Sequence, residues 1–189
     1  MIAINNVKIA AIGDSVTYGF PCSPEQSWLY FAAKELAVEQ VNSGVNGDTT
    51  SGMLSRFASD VCRHKPSHVI IMGGTNDAYE GMEVGQVVGN IKKMVQLARD
   101  NQITPLIGLP IPCNDWSAEI LLGECREAMQ EYAAANDLIY IDFYAAMVDE
   151  DTAEIKSGLH CDGVHPNEAG YRLMADVAIR ALQNLLQQP

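Results

Sequence analysis

The chain has 189 residues, 48% of them hydrophobic, which suits one compact domain with a full core and leaves little room for a second. Twenty-four acidic against twelve basic side chains give a formal charge of -12, which sets the chain against nucleic acid and anionic membrane surfaces as partners. Five cysteines, an odd number with no Cys-x-x-Cys pair, argue against both a disulfide framework and a thiolate zinc site, so reduced thiols are expected.

Met1–Lys8 lacks a basic segment followed by a long apolar run and a cleavage site, and no later run approaches membrane-spanning length. The expected location is cytoplasmic, without stable membrane insertion. Val7–Ile12 is a short apolar run and reads as a buried strand, Ser27–Ala37 as a helix, and Glu39–Asn42 as a weaker strand. Thr50–Arg63 reads as a second helix and Val69–Met72 as a strand. Val84, Val87, Val88, Ile91, Met94, Val95 and Ala98 then fall on one helical face. Leu106–Leu109, inside the Pro105–Pro112 stretch, predicts a strand and its exit loop; Ser117–Ala135 predicts a helix, and Leu138–Ile141 a last strand. Leu173, Met174, Val177, Ala178, Ala181, Leu182 and Leu185 line a closing helix, which Asn167 after Pro166 is placed to cap. The chain shows no internal repeat and no linker, and residues 1–189 read as a single domain. Strands separated by helices imply right-handed crossovers, a central parallel five-stranded sheet and a three-layer α/β/α sandwich.

In such a sheet, ligands bind at the carboxyl ends of the strands. Three polar loops fall there: Gly13-Asp14-Ser15 after the first strand, Gly44-Val45-Asn46-Gly47-Asp48 after the second, and Gly73-Gly74-Thr75-Asn76-Asp77 after the third. Ser15 alone reads as a cap or turn residue, and His165 alone as a loop residue before a proline. Their balance shifts with Asp162, because a carboxylate three residues upstream in a turn can reach the ring nitrogen that faces away from a nucleophile. Acyl transfer also needs donors aimed at the oxyanion. The candidates are the Ser15 N–H at a helix start, the Gly47 N–H in a glycine-flanked loop and the Asn76 side-chain amide; an ordinary turn for Gly47 and an Asx-turn for Asn76 are equally open on these grounds.

These four segments together resemble the SGNH, or GDSL, hydrolase family over nearly the whole chain. Gly13-Asp14-Ser15 with Thr17 and Gly19 is similar to its first block, Gly47 falls where its oxyanion glycine does, Gly74-Thr75-Asn76-Asp77 matches its third block and Asp162-Gly163-Val164-His165-Pro166 its last. The resemblance implies a flavodoxin-like fold and serine esterase, lipase, thioesterase or carbohydrate deacetylase chemistry. It implies Ser15 as nucleophile, His165 as general base and acid and Asp162 as its orienter, with Ser15, Gly47 and Asn76 forming the oxyanion hole. Such chemistry requires no metal or organic cofactor, and its partner is a small-molecule acyl ester or thioester. Two departures stand out. Asn46 occupies a position where serine is common, and Thr17 follows Val16, so the G-x-S-x-G elbow is absent.

Asp14 and Asp77 are expected to fix loops rather than to catalyse, Trp28 to pack in the core, and Cys113 to be an inert thiol. His160, Cys161, Asp162 and His165 supply metal-ligand types, but a metal reading leaves the Gly-Asp-Ser and Gly-Thr-Asn-Asp loops without a task. A flavodoxin-like binding module and a catalytically silent interaction domain stay open as rivals. For the substrate side, Thr17, Tyr18, Met82, Ile111 and Trp116 are the candidate lining residues, with Val84, Ile120 and Leu121 beside them, and core or lid packing explains them equally well.

Overall fold

The computed structural model describes residues 7–186, so most of the N-terminal stretch read above for a leader lies outside the described residues. Its elements in chain order are β1 (Lys8–Gly13), α1 (Ser15–Tyr18), α2 (Trp28–Leu36), β2 (Glu39–Gly44), α3 (Thr50–Asp60), β3 (His68–Met72), α4 (Thr75–Tyr79), α5 (Val84–Asp100), β4 (Thr104–Leu109), α6 (Trp116–Ala135), β5 (Tyr140–Asp142), α7 (Phe143–Met147) and α8 (Glu168–Leu186). The five strands pair in parallel in the order β2-β1-β3-β4-β5. This is the three-layer sandwich expected from the alternation of apolar strands and amphipathic helices, with the flavodoxin-like strand order that the family resemblance implies.

The strands are short apolar runs because both of their faces are covered. Ile9, Ala11, Ile70, Leu106 and Ile141 point to the layer of α2, α7 and α8, where they meet Trp28, Phe143, Tyr171 and Met174. Their neighbours Ala10, Ile12, Val69, Ile71 and Ile107 point the other way, onto Phe57, Ile91, Met94 and Met129 of α3, α5 and α6. Trp28 is fully buried with its ring centroid 5.0 Å from that of Phe143.

Helix starts follow the capping chemistry of the sequence. Ser27 accepts from the Tyr30 N–H, Thr49 from Gly52, Asp115 from Ala118, and Asn167 from Gly170 at 3.1 Å. Three boundaries differ from expectation in ways that the pairing and capping explain. The second strand runs two residues further, to Gly44, because its pairing with β1 continues through Ile12↔Ser43 and Gly13↔Gly44. The last strand starts later, at Tyr140, because only Tyr140–Asp142 finds partners on β4. The helix over 50–63 stops at Asp60 and continues as a separate turn at Cys62–His64.

Gly44 is where the exits of β1 and β2 come together. A Cβ there would sit inside contact distance of the Tyr18 backbone nitrogen and Cα, so the second loop lies flush against α1. Overfilling such a site typically costs about 1–3 kcal/mol. Gly44→Ala is therefore expected to lower the unfolding free energy from urea titration by that margin, seen as a lower midpoint at unchanged slope, and an unchanged midpoint would show that α1 and β2 are not packed as described.

Candidate active site

Ser15 opens α1 directly after the buried strand β1, at the point where a backbone turn must lift the chain out of the sheet. The turn is held by Asp14, whose Oδ1 accepts the Val16 N–H at 2.9 Å. Asp14 is only 2% exposed. Burial pushes its carboxyl up to about 6, against the lowering effect of the Val16 N–H and of nearby His165, while Asp77 and Asp48 add to the rise.

His165 reaches Ser15 from a loop 150 residues away. Its Nε2 lies 3.0 Å from Ser15 Oγ, and its Nδ1 lies 2.7 Å from Asp162 Oδ2. The other Asp162 oxygen accepts the His165 N–H at 2.8 Å and the Val164 N–H at 3.0 Å. Partial burial raises the Asp162 pKa, but the His165 backbone N–H, the His165 ring and the Val164 N–H outweigh it, and the carboxyl is held below its ordinary value. An ionised carboxylate on Nδ1 fixes the ring in the tautomer that presents a bare Nε2 to the hydroxyl.

The loop that carries the pair is tied at several points. Cys161 N–H donates to the His165 carbonyl at 2.9 Å, Gly163 N–H to His160 Nδ1 at 2.8 Å and Asn114 N–H to the Gly163 carbonyl at 2.8 Å. The Phe20 ring meets the imidazole edge-on with centroids 4.8 Å apart, and the Tyr171 hydroxyl donates to the Phe20 carbonyl at 2.6 Å. Phe20, Tyr171 and Asn114 were not legible in the sequence, because none belongs to a motif and each acts across a large chain separation.

The three candidate donors come from the loops that follow β1, β2 and β3. Ser15 N–H, as the first of a helix, and Gly47 N–H are not accepted by any described residue. Gly47 has φ +76, in the left-handed region that favours glycine, and nothing lies within 4 Å of where its Cβ would be, so the backbone is open to a ligand there. Asn76 donates one amide proton to the Asp48 carbonyl at 2.9 Å and keeps the second. Asp77 is fully buried and accepts from the Thr50 N–H and hydroxyl, which ties the third loop to the start of α3.

The lining residues divide. Thr17 is a correction: it is fully buried, and its hydroxyl occupies the space beside Gly13 that a side chain would take, so it packs and does not line. Met82 and Val84 are partly buried against the cluster that includes Val87, Val88 and Ile91 of α5, and Leu121 is partly buried against Ala118 and Leu122. Ile111 is buried over a small void shared with Asp14, Val16 and Thr75. Tyr18 is half-buried. Trp116 at the start of α6 is 74% exposed, and Phe20, Val45, Tyr79 at the end of α4 and Ile120 within α6 are exposed as well.

His160 is used by Gly163, and among the described residues no group of three or more His, Cys, Asp or Glu is placed to hold a metal ion. Burial, and next Glu119, push the Cys113 thiol up to about 11, the wrong direction for a nucleophile.

Residues 11–173 match the model of the GDSL-like lipase/acylhydrolase family. The chain is 28% identical over 176 residues to esterase TesA of Pseudomonas aeruginosa, covering 89% of this chain and 85% of that protein. It is 23% identical to an acetylxylan esterase of Geobacillus stearothermophilus, covering 93% of each. A solved structure assigned to the lipolytic G-D-S-L family, from Desulfitobacterium hafniense, superposes with a TM-score of 0.88 at 34% identity, covering 93% of this chain and 99% of that one.

The buried Asp14 carboxyl has a consequence for stability. Its folded pKa, about 6, lies above the ordinary 3.8, so the folded state holds the proton more tightly, and the stability this lends below pH 4 is lost as the pH rises through 6. The displacement corresponds to about 3 kcal/mol at most. Asp14→Asn keeps an acceptor for Val16 and cannot ionise. Urea unfolding at pH 4, 5.5 and 7 is expected to show the variant gaining on the wild type with rising pH, and a constant difference would contradict the assignment.

Proposed function

Because this chain belongs to the GDSL-like lipase/acylhydrolase family and is accordingly a carboxylic ester hydrolase, we propose that Ser15, His165 and Asp162 form its nucleophilic triad. The observation that carries this reading is the continuous hydrogen-bonded line from Ser15 Oγ through both imidazole nitrogens to Asp162. His165 Nε2 takes the hydroxyl proton as Oγ bonds to the ester carbonyl carbon, and the positive ring is stabilised by Asp162. The Ser15 and Gly47 N–H groups and the free Asn76 amide proton receive the oxyanion, where one such donor is typically worth about 2.7–4 kcal/mol. Collapse of the tetrahedral adduct breaks the carbon–oxygen bond of the leaving alcohol, which departs with the proton from His165. Water then attacks the acyl-enzyme by the same route, releasing the acid and restoring Ser15. No step calls for a metal or an organic cofactor, and residues 1–189 act as one domain in this reading.

The substrate reading follows from charge. Between each strand's carboxyl end and the next long helix, every charged side chain except Lys156 is a carboxylate, and the Lys156 ammonium is committed to the Ala146 carbonyl at 2.9 Å. At the exposed Tyr79, burial first, then Cys113, Asp115 and Asp162, push the hydroxyl up to about 12. Exposed apolar side chains (Phe20, Tyr79, Trp116) share this edge. An acidic, partly apolar mouth favours uncharged carboxylic esters and opposes polyanionic thioesters such as acyl-CoA. Among the described residues no helix is long and apolar enough to cross a membrane.

Two outcomes test the reading. Ser15→Ala is expected to reduce kcat/KM for a p-nitrophenyl ester by at least about 10³-fold with an unchanged fold, and a loss below tenfold would remove Ser15 as nucleophile. For one acyl group, the wild type is expected to prefer the uncharged ester over the CoA thioester by at least about tenfold, with the gap narrowing as salt is raised. Equal turnover at low salt would refute the charge argument and leave the triad standing.

A further inference from the structure

Arg56, in the middle of α3, belongs to no motif, and its side chain is largely turned into the protein. Its guanidinium spends four of its five N–H groups within the protein: Nε on Asp48 Oδ2 at 2.7 Å, Nη1 on the Ser43 carbonyl and on Asp60 Oδ2, both at 2.9 Å, and Nη2 on the Gly13 carbonyl at 3.0 Å. Its side chain is 17% exposed and that of Asp48 is 12% exposed.

Three of these contacts fall on the segments that carry the oxyanion donors. Gly13 is the last residue of β1, and one residue beyond it comes the peptide that ends in the Ser15 N–H. The same Gly13 carbonyl also accepts the Val45 N–H at 3.1 Å, so one oxygen joins the nucleophile turn to the second loop. Asp48 follows Gly47 directly, and its own carbonyl receives the Asn76 amide at 2.9 Å. Ser43 anchors the strand end from which the Gly47 loop departs. A single planar cation therefore stands behind all three donors and touches each of their supports.

We propose that Arg56 is a positioning residue that sets the relative placement of the Ser15 N–H, the Gly47 N–H and the Asn76 amide. The inference rests on the reading of those three groups as the oxyanion hole. A planar fork with fixed N–H directions can hold a carboxylate and two carbonyls at once. A lysine ammonium keeps the charge but offers one point on a flexible stem, so it cannot hold the same three supports in register. Errors of placement at an oxyanion hole act on the transition state and leave ground-state binding nearly untouched.

The test uses Arg56→Lys and, as a second variant that leaves α3 unaltered, Asp48→Asn. Kinetics on a short p-nitrophenyl ester are read together with the affinity for an alkyl boronic acid, which forms a tetrahedral anionic adduct with an activated serine. The expected result for Arg56→Lys is a fall in kcat of about ten- to a hundredfold with KM within about threefold. Boronate affinity is expected to fall by a similar factor, and the melting temperature to stay well above the assay temperature. Asp48→Asn is expected to move the same quantities in the same direction by less. If both variants keep kcat and boronate affinity within about twofold of the wild type, or lose only KM or thermal stability, Arg56 is a structural ion-pair residue and the proposal falls. If the wild type itself neither turns over the ester nor binds the boronate, the oxyanion-hole reading fails first and takes this inference with it.

Discussion

A parallel strand buried on both faces has only its ends left for polar work, and this constraint governs the molecule. β1 is the clearest case. Every residue from Ile9 to Gly13 is buried, and the first polar side chains, Asp14 and Ser15, appear where the strand stops. Because β2 and β3 flank β1 in the same direction, their exits deliver Gly47 and Asn76 to the same edge without any long excursion of the chain. Right-handed crossovers place the connecting helices on the two faces and leave that edge open.

The two halves of the site are held by different means. His165 hangs on one long connection after α7, stiffened by backbone hydrogen bonds at Cys161 and Gly163 and by the Phe20 ring, so it is positioned mainly by its own loop. The loops bearing Gly47 and Asn76 are held by buried ionic and amide groups: Arg56 with Asp48, Asp77 with Thr50, and Asn76 with the Asp48 carbonyl. Buried charges of this kind contribute little net stability unless fully paired. Here they bridge loops from three strands, a geometric role that apolar packing would perform with less directional precision.

Much of this was legible from residue order alone. The apolar runs at Val69–Met72 and Leu106–Leu109 were unambiguous because both faces are covered, and the Asp162–His165 spacing was legible because the contact is local. β2 was faint because it is a polar edge strand: Asn42 sits within it to donate to the Thr17 carbonyl at 2.9 Å and to Ser27 Oγ at 3.2 Å, contacts that carry no signature in the chain. Arg56 was hidden for a related reason. Beside Asp60 it reads as an ordinary exposed helix pair, and its contact with the Gly13 carbonyl spans 43 residues. Thr17 misled because a hydroxyl two residues from Ser15 reads as lining, whereas the absent side chain of Gly13 gives it a buried seat.

The account stands on Ser15 being the activated hydroxyl. Incubating the wild-type protein with a fluorophosphonate, followed by intact mass and peptide mapping, measures this directly, because the reagent modifies only a serine whose proton is taken by a neighbouring base. One adduct per chain, mapped to the peptide bearing Ser15 and formed far more slowly in His165→Ala, is the predicted result. No adduct, an adduct on another residue, or labelling of Ser15 at the same rate without His165 would contradict it.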